Sequence, residues 1–344
     1  MKWTLADAHG LDDVLIALSK GREVYAPAGA TNGSFRLHRA DKWLVGYHTL
    51  GTYRTTEPLK SLFFPPREYI GRWGGGGRQP MPERIVFGVK NCDLSSLAVF
   101  DYVFLQGVAK DPYYAEAREK TILVSTDCSG CLDVCFCPGV GEWPWAEEGF
   151  DINIGLTPAG CVLEDGSERG AKLLQSLESF LEPANDGMLA ALREQRGRML
   201  DQLNAHTREH GLEPGDDLRA VVEKSFDSGL WADFAKDCVE CGACNFICCT
   251  CHCFLLADGL DTEGLPARSK LWDACLYDGF ARTAGGGTPR PFRAERLRNR
   301  FDKKFSFFPQ VMGRYACDGC GRCTEACIAN IDIRDVLSRA REEA

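Results

Sequence analysis

The chain has 344 residues, 44% of them hydrophobic, which is enough for two domains with separate cores. A formal net charge of −9 argues against nonspecific nucleic-acid binding as the main role. The most apolar stretch, Arg84–Leu105, is broken by Lys90, Asp93 and Asp101, so no run has the length of a membrane span.

The N-terminal apolar run follows Asp7, Asp12 and Asp13 rather than a basic segment, so it does not read as a signal peptide. A cytoplasmic location is therefore expected. Leu11–Ser19 has a helical apolar pattern and Glu23–Ala26 reads as a short strand. Gly74–Gly77, four glycines in a row, reads as a mobile loop. Ile85–Val89 is a buried-strand pattern, Leu94–Leu105 a helix and Thr121–Ser125 a second strand. Asp151–Leu156 and Cys161–Leu163 suit a hairpin-like pair, with Cys161 as a strand core residue. Lys172–Leu181 and Gly187–His206 read as helices, and the pattern breaks around Pro214–Asp217. Further on, helices are expected near Ala267–Tyr277 and Phe292–Lys304. The expected architecture is α+β: a mixed α/β domain over residues 1–226, then an all-α, ferredoxin-like domain over residues 227–344.

The chain holds 18 cysteines. In a reducing compartment, clustered cysteines read as metal ligands rather than disulfides. Cys238, Cys241, Cys244 and Cys248 follow C-x2-C-x2-C-x3-C, and Cys317, Cys320, Cys323 and Cys327 repeat it. In this spacing three cysteines of a tight loop hold one [4Fe–4S] cluster and the fourth reaches the other. The expected ligand sets are crossed: Cys238, Cys241, Cys244 and Cys327 for one cluster, Cys317, Cys320, Cys323 and Cys248 for the second. Gly242 and Gly321 sit where the loops must bend. Zinc motifs, the competing reading, pair C-x2-C with a second such pair or with histidine rather than running four cysteines together. The proline that usually follows the fourth cysteine is replaced by Cys249 and Ile328. Cys248 and Cys317 are 69 positions apart, far more than a compact ferredoxin needs.

Cys249, Cys251, Cys253 and Cys275 read either as thiols packed beside a cluster or as additional ligands. His252 reads as a hydrogen-bond partner. In the N-terminal half, Cys92 and Cys128 follow the two strands, and Cys135 and Cys137 lie in a nearby loop. Strand ends are where such folds build sites, so these four suit a third iron–sulfur cluster, expected to be [4Fe–4S]; the other reading is a set of buried free thiols. Cys131 is the spare. Eight basic residues between Arg282 and Lys304 read as a solvated helix face, a docking patch for an acidic partner, or charge compensation beside anionic clusters.

Phe87-Gly-Val-Lys-Asn-Cys-Asp-Leu-Ser-Ser-Leu, Phe100-Asp-Tyr-Val-Phe-Leu, Asp111-Pro-Tyr-Tyr, Cys135-Phe-Cys137, Cys248-Cys-Thr-Cys-His-Cys253 and Trp272-Asp-Ala-Cys275 together resemble one family. It contains the iron–sulfur electron-transfer subunits of anaerobic sulfite reductase and the beta subunits of sulfhydrogenase. The resemblance implies an electron-transfer role without catalytic residues. Its expected partners are a flavoprotein that oxidises NAD(P)H and a catalytic subunit, which would be a sulfite reductase, a nickel–iron hydrogenase or a heterodisulfide-reductase-like module. The family's cysteine pattern also maps onto Cys92, Cys128, Cys135 and Cys137. No dinucleotide fingerprint or nucleophile–base arrangement is present. The rival reading is a catalytic reductase that uses Cys249, Cys251, Cys253 and Cys275.

Overall fold

The computed structural model describes residues 2–5, 8–29, 35–39, 50–74 and 79–344. Of the four-glycine loop, Gly75, Gly76 and Gly77 lie outside the described residues. Eleven strands are described: β1 (Lys2–Leu5), β2 (Glu23–Gly29), β3 (Phe35–Arg39), β4 (Arg67–Arg72), β5 (Arg84–Val89), β6 (Thr121–Thr126), β7 (Ile152–Thr157), β8 (Gly160–Asp165), β9 (Glu182–Pro183), β10 (Phe254–Leu260) and β11 (Pro266–Trp272). Eight of them form one sheet in the order β3-β2-β5-β6-β7-β8-β1-β9, and β10, β11 and β4 form a second.

The middle of the large sheet, β2-β5-β6-β7, is parallel, and its edges are antiparallel. Parallel strands covered on both faces need continuous apolar runs, and every residue of β5 and β6 is buried. Alternation then assigns the faces. Ile85, Phe87, Ile122 and Val124 face a core shared with Leu11, Val14, Leu15 and Leu174. Val86 and Leu123 face Leu94, Leu97, Phe100 and Tyr114 on the other side, and an irregularity at Gly88 (φ 68°) breaks the alternation and turns Val89 to that side as well. The first expected strands, the hairpin β7–β8 and the helices Ala8–Ser19, Asn91–Leu105 and Asp186–Glu209 therefore form where the apolar pattern placed them.

The C-terminal part is not all-α. The apolar pattern predicts a helix over Ala267–Tyr277, yet Pro266–Trp272 is strand β11, paired antiparallel with β10 and with β4 of the N-terminal half. The cause is turn chemistry. The Asp261 carboxylate accepts from the Glu263 and Leu265 backbone N–H groups, and Gly264 takes a left-handed conformation at φ 80°. These contacts reverse the chain and commit both flanks to a hairpin. The rest of this part is helical, around a core of Leu230, Trp231, Leu297, Phe301, Phe305 and Val336 that also takes in Phe136.

Among the described ion pairs that join the two halves, one is the most deeply buried. The Arg322 guanidinium donates to both carboxylate oxygens of Asp93, at 3.0 and 2.7 Å, and also to the carbonyl of Thr55. Both side chains are almost fully buried. Removing one partner from such a pair costs roughly 3–5 kcal/mol, because it strands the other charge. Asp93→Ala or Arg322→Ala is expected to lower the thermal unfolding midpoint by several degrees, measured by circular dichroism. Surface pairs such as Arg198–Glu194 should move it little when broken.

Candidate metal centres

The first cysteine loop follows the helix Leu230–Asp237 and turns through Gly242 into the short helix Ala243–Phe246. Cys238, Cys241, Cys244 and Cys327 line one largely apolar cavity, which Cys323 also borders. Cys241 is the exposed member. The second loop carries Cys317, Cys320 and Cys323 to another cavity, which also takes in Cys248 and Cys249. The structure thus gathers cysteines of both runs at each of the two cavities.

The second loop is pressed against the segment Val134–Cys137. Gly319 (φ 63°) and Gly321 (φ 68°) are in the left-handed region. A Cβ on Gly319 would lie 2.4 Å from the Cys137 Cα, and one on Gly321 2.2 Å from the Val134 oxygen. No side chain fits there. The Phe136 N–H donates to the Gly319 carbonyl at 2.8 Å, and Arg54 donates to the Cys320 carbonyl at 2.6 Å.

That contact builds a third cavity. Cys92 opens the helix after β5, and Cys128 follows the neighbouring parallel strand β6. With Cys131, Cys135 and Cys137 they line a cavity whose far wall is Asp318, Gly319 and Cys320. Cys131, the expected spare, lies 3.7 Å from His206 Nδ1. Cys161 is a fully buried strand residue.

Cys249 separates from the other extra cysteines. Its thiol donates to Asp318 and lies 3.7 Å from Cys320 Sγ. Cys251, Cys253 and Cys275 instead line a fourth cavity with His252. The four cysteines grouped in the rival reading therefore do not converge on one place.

The basic run 282–304 divides by helical period. Arg296, Arg300 and Lys304, each four residues apart, are buried on the inner face. Arg296 pairs with Glu240 in the first loop. Arg300 borders three of the cavities, donates to the Cys244 carbonyl, and keeps a buried Nε without a hydrogen-bond partner. Lys304 lies in a π-helical turn and donates to Cys248 Sγ at 3.3 Å and to the Thr250 hydroxyl at 2.8 Å. Sequence reasoning misses Lys60, which reaches the Asn245 and Cys251 carbonyls from the N-terminal half, and Lys90, held between the carbonyls of Gly51 and Asp127. Among the described residues, none of Lys60, Lys90, Arg300 and Lys304 has a carboxylate partner in an ion pair. An isolated buried charge costs several kcal/mol, so these cations call for anionic sulfur beside them.

The thiols fit a cluster better than a single ion. Tetrahedral zinc, with Zn–S near 2.3 Å, holds its sulfurs about 3.8 Å apart. Among the described residues, the group of three ligand atoms lying within 4.8 Å of one another is His210, Asp332 and Asp335, with no cysteine in it. Asp332 there is already paired with Arg334 and caps a helix. Burial pushes the Cys128 and Cys135 thiols up to about 11 and Cys244 up to about 12, so iron has to displace their protons. Cys320 is the opposite case: its hydrogen bond with Cys249, helped by the guanidiniums of Arg322 and Arg54, holds it down to about 6 against burial.

Residues 237–331 match the family model described as a 4Fe-4S dicluster domain. The chain is accordingly an iron–sulfur, electron-transfer protein, as the cysteine spacing implied. Over 327 residues it is 28% identical to sulfhydrogenase 2 subunit beta of Pyrococcus furiosus, an alignment covering 93% of this chain and 92% of that one. The likeness to sulfhydrogenase beta subunits expected from its motifs thus extends along nearly the whole chain. No helix among the described residues is long and apolar enough to cross a membrane.

Lys304→Met keeps the side-chain bulk and removes the cation at Cys248. Loss of a positive charge disfavours the reduced, more anionic state. The reduction potential of the second-loop centre should fall, by roughly 60 mV if the ammonium contributes about 1.4 kcal/mol to a one-electron couple. Potentiometric EPR titration checks both the sign and the size.

Proposed function

We propose that this chain is the electron-relay subunit of a larger oxidoreductase complex, with three [4Fe–4S] clusters. Cys238, Cys241, Cys244 and Cys327 would hold the first, Cys317, Cys320, Cys323 and Cys248 the second, and Cys92, Cys128, Cys135 and Cys137 the third. The observation that carries the reading is the sharing of walls. Cys320 borders both the N-terminal and the second-loop cavities, and Cys323 borders both the second-loop and the first-loop cavities. Each such cluster, when bound, takes up and releases one electron at a potential set by hydrogen bonds, charge and burial.

The chain's own residues supply those conditions. Lys90 and Arg54 place positive charge beside the N-terminal cysteines, and Lys304 and Arg300 do so for the two ferredoxin-like sets. The apolar walls keep water from the thiolates. The row reaches the surface at Cys241, flanked by exposed Val239 and Ile328, a suitable landing point for a redox partner.

The relative's name ties it to a sulfhydrogenase, so a hydrogenase-type catalytic subunit is one partner this reading supports. A flavoprotein that draws electrons from NAD(P)H is the other, and the cytoplasm is the expected compartment. The direction of flow follows from whichever partner docks at each end.

In anaerobically purified full-length protein, Cys135→Ser/Cys137→Ser should remove about four irons and one reduced-state EPR signal, given four irons per cubane. Iron content unchanged by that double variant would exclude the third cluster. Val239→Asp/Ile328→Asp should keep all the iron but slow reduction by a flavoprotein donor several-fold in stopped-flow measurements. The isolated chain should turn over no substrate.

A further inference from the structure

Beyond these twelve cysteines, we propose that Cys251, Cys253 and Cys275, with His252, form a fourth iron–sulfur site. The proposal stands on residues outside the three ligand sets above. Cys251, His252 and Cys253 leave the end of the first cysteine run, and Cys275 returns beside them after the β10–β11 hairpin. The hairpin's register sets Phe254 opposite Trp272, and the Asp273 N–H donates to the Cys253 carbonyl at 3.0 Å. That pairing brings two cysteines 22 positions apart into thiol–thiol contact.

The buried Asn245 amide joins them to the third. Its Nδ2 donates to Cys275 Sγ at 3.1 Å and lies 3.8 Å from Cys251 Sγ. An amide donor aimed at two sulfurs suits thiolates, since hydrogen bonds to sulfur stabilise the charged form. The cavity these residues line is of similar extent to the second-loop cavity.

Its remaining walls explain the orphaned cations. Arg300, Lys303 and Lys304 all border it, and the buried Arg300 Nε has no hydrogen-bond partner. Lys60 reaches the Cys251 carbonyl from the opposite side, at 3.0 Å. Among the described residues, no carboxylate lines this cavity. A cluster held by three thiolates is anionic and supplies the missing negative charge.

His252 is the one further metal-ligating side chain lining the cavity among the described residues. Its Nδ1 lies 3.0 Å from the Thr250 carbonyl, and its ring stands edge-on to Phe100 and Phe308. A carbonyl can only accept, so Nδ1 carries the proton and Nε2 keeps its lone pair. A ring nitrogen tied to a backbone carbonyl is the usual state of a histidine ligand. Arg300, Lys304 and Thr250 are shared with the second-loop cavity, so the site is a side branch of the row.

The full chain, purified anaerobically, is then expected to hold about sixteen irons, four per cubane. Cys253→Ser/Cys275→Ser should lower this by a quarter and leave the other EPR signals in place. Iron and EPR spectra unchanged by that variant would overturn the proposal. Cys135→Ser/Cys137→Ser removes a separate quarter, so failure here and failure of the three-cluster reading are distinguishable. If the first double variant loses more than a quarter of the iron through misfolding, His252→Ala decides. It should shift one signal in the reduced protein, and a spectrum identical to wild type would overturn the assignment.

Discussion

Everything in this protein leans on the second cysteine loop. It is a short, glycine-bent segment held on one side by the buried Arg322–Asp93 pair and on the other by backbone contact with Val134–Cys137. The pair fixes the loop against the helix that carries Cys92, at the carboxyl ends of the central parallel strands. Because the loop is a common wall, its anchoring by this pair, by Arg54 and by the Phe136–Gly319 backbone bond sets the spacing between the N-terminal cavity and the second-loop cavity. A ferredoxin fused by a flexible linker would have no such fixed distance. Here residues of the α/β sheet region and of the C-terminal part line the same cavity.

Charge is the second constraint. The chain is acidic overall, yet the interior around its cysteines is positive. Arg296, Arg300 and Lys304 form a buried stripe along one helix, and Lys60, Lys90 and Arg54 enter from the N-terminal half. Several of these cations are satisfied by carbonyls alone. Such an interior is costly in a metal-free chain and balanced once thiolates surround iron. Stability and cofactor content should therefore be strongly linked, with the two halves coming apart together when iron is lost.

Much of this is legible in the sequence because it depends on local pattern. The buried strands β5 and β6 are continuous apolar runs, and the two cysteine runs are one fixed spacing repeated twice. The third candidate set is legible because Cys92 and Cys128 follow neighbouring strands. What escapes depends on contacts between distant residues. The strand at Pro266–Trp272 is hidden because Asp261-Thr-Glu-Gly264 does not advertise itself as a turn until its carboxylate meets two backbone N–H groups. Lys60, Asn245 and Arg322 carry no motif, and only tertiary packing puts them beside sulfur. The basic run is conspicuous, but only its four-residue period separates the inward cations from those on the surface.

The cavities also fix when the protein can be finished. Each is closed by residues beyond 300: Cys327 for the first loop, Ile333 for the second, Cys320 for the N-terminal cavity, Phe308 for the fourth. A chain emerging from the ribosome folds its N-terminal sheet first. It then waits with Cys92, Cys128, Cys135 and Cys137 on a half-built surface until the last few dozen residues arrive. On the proposed reading, iron loading would follow synthesis. Truncation near the C-terminus would open every one of these cavities at once, including the one whose own cysteines all precede residue 140.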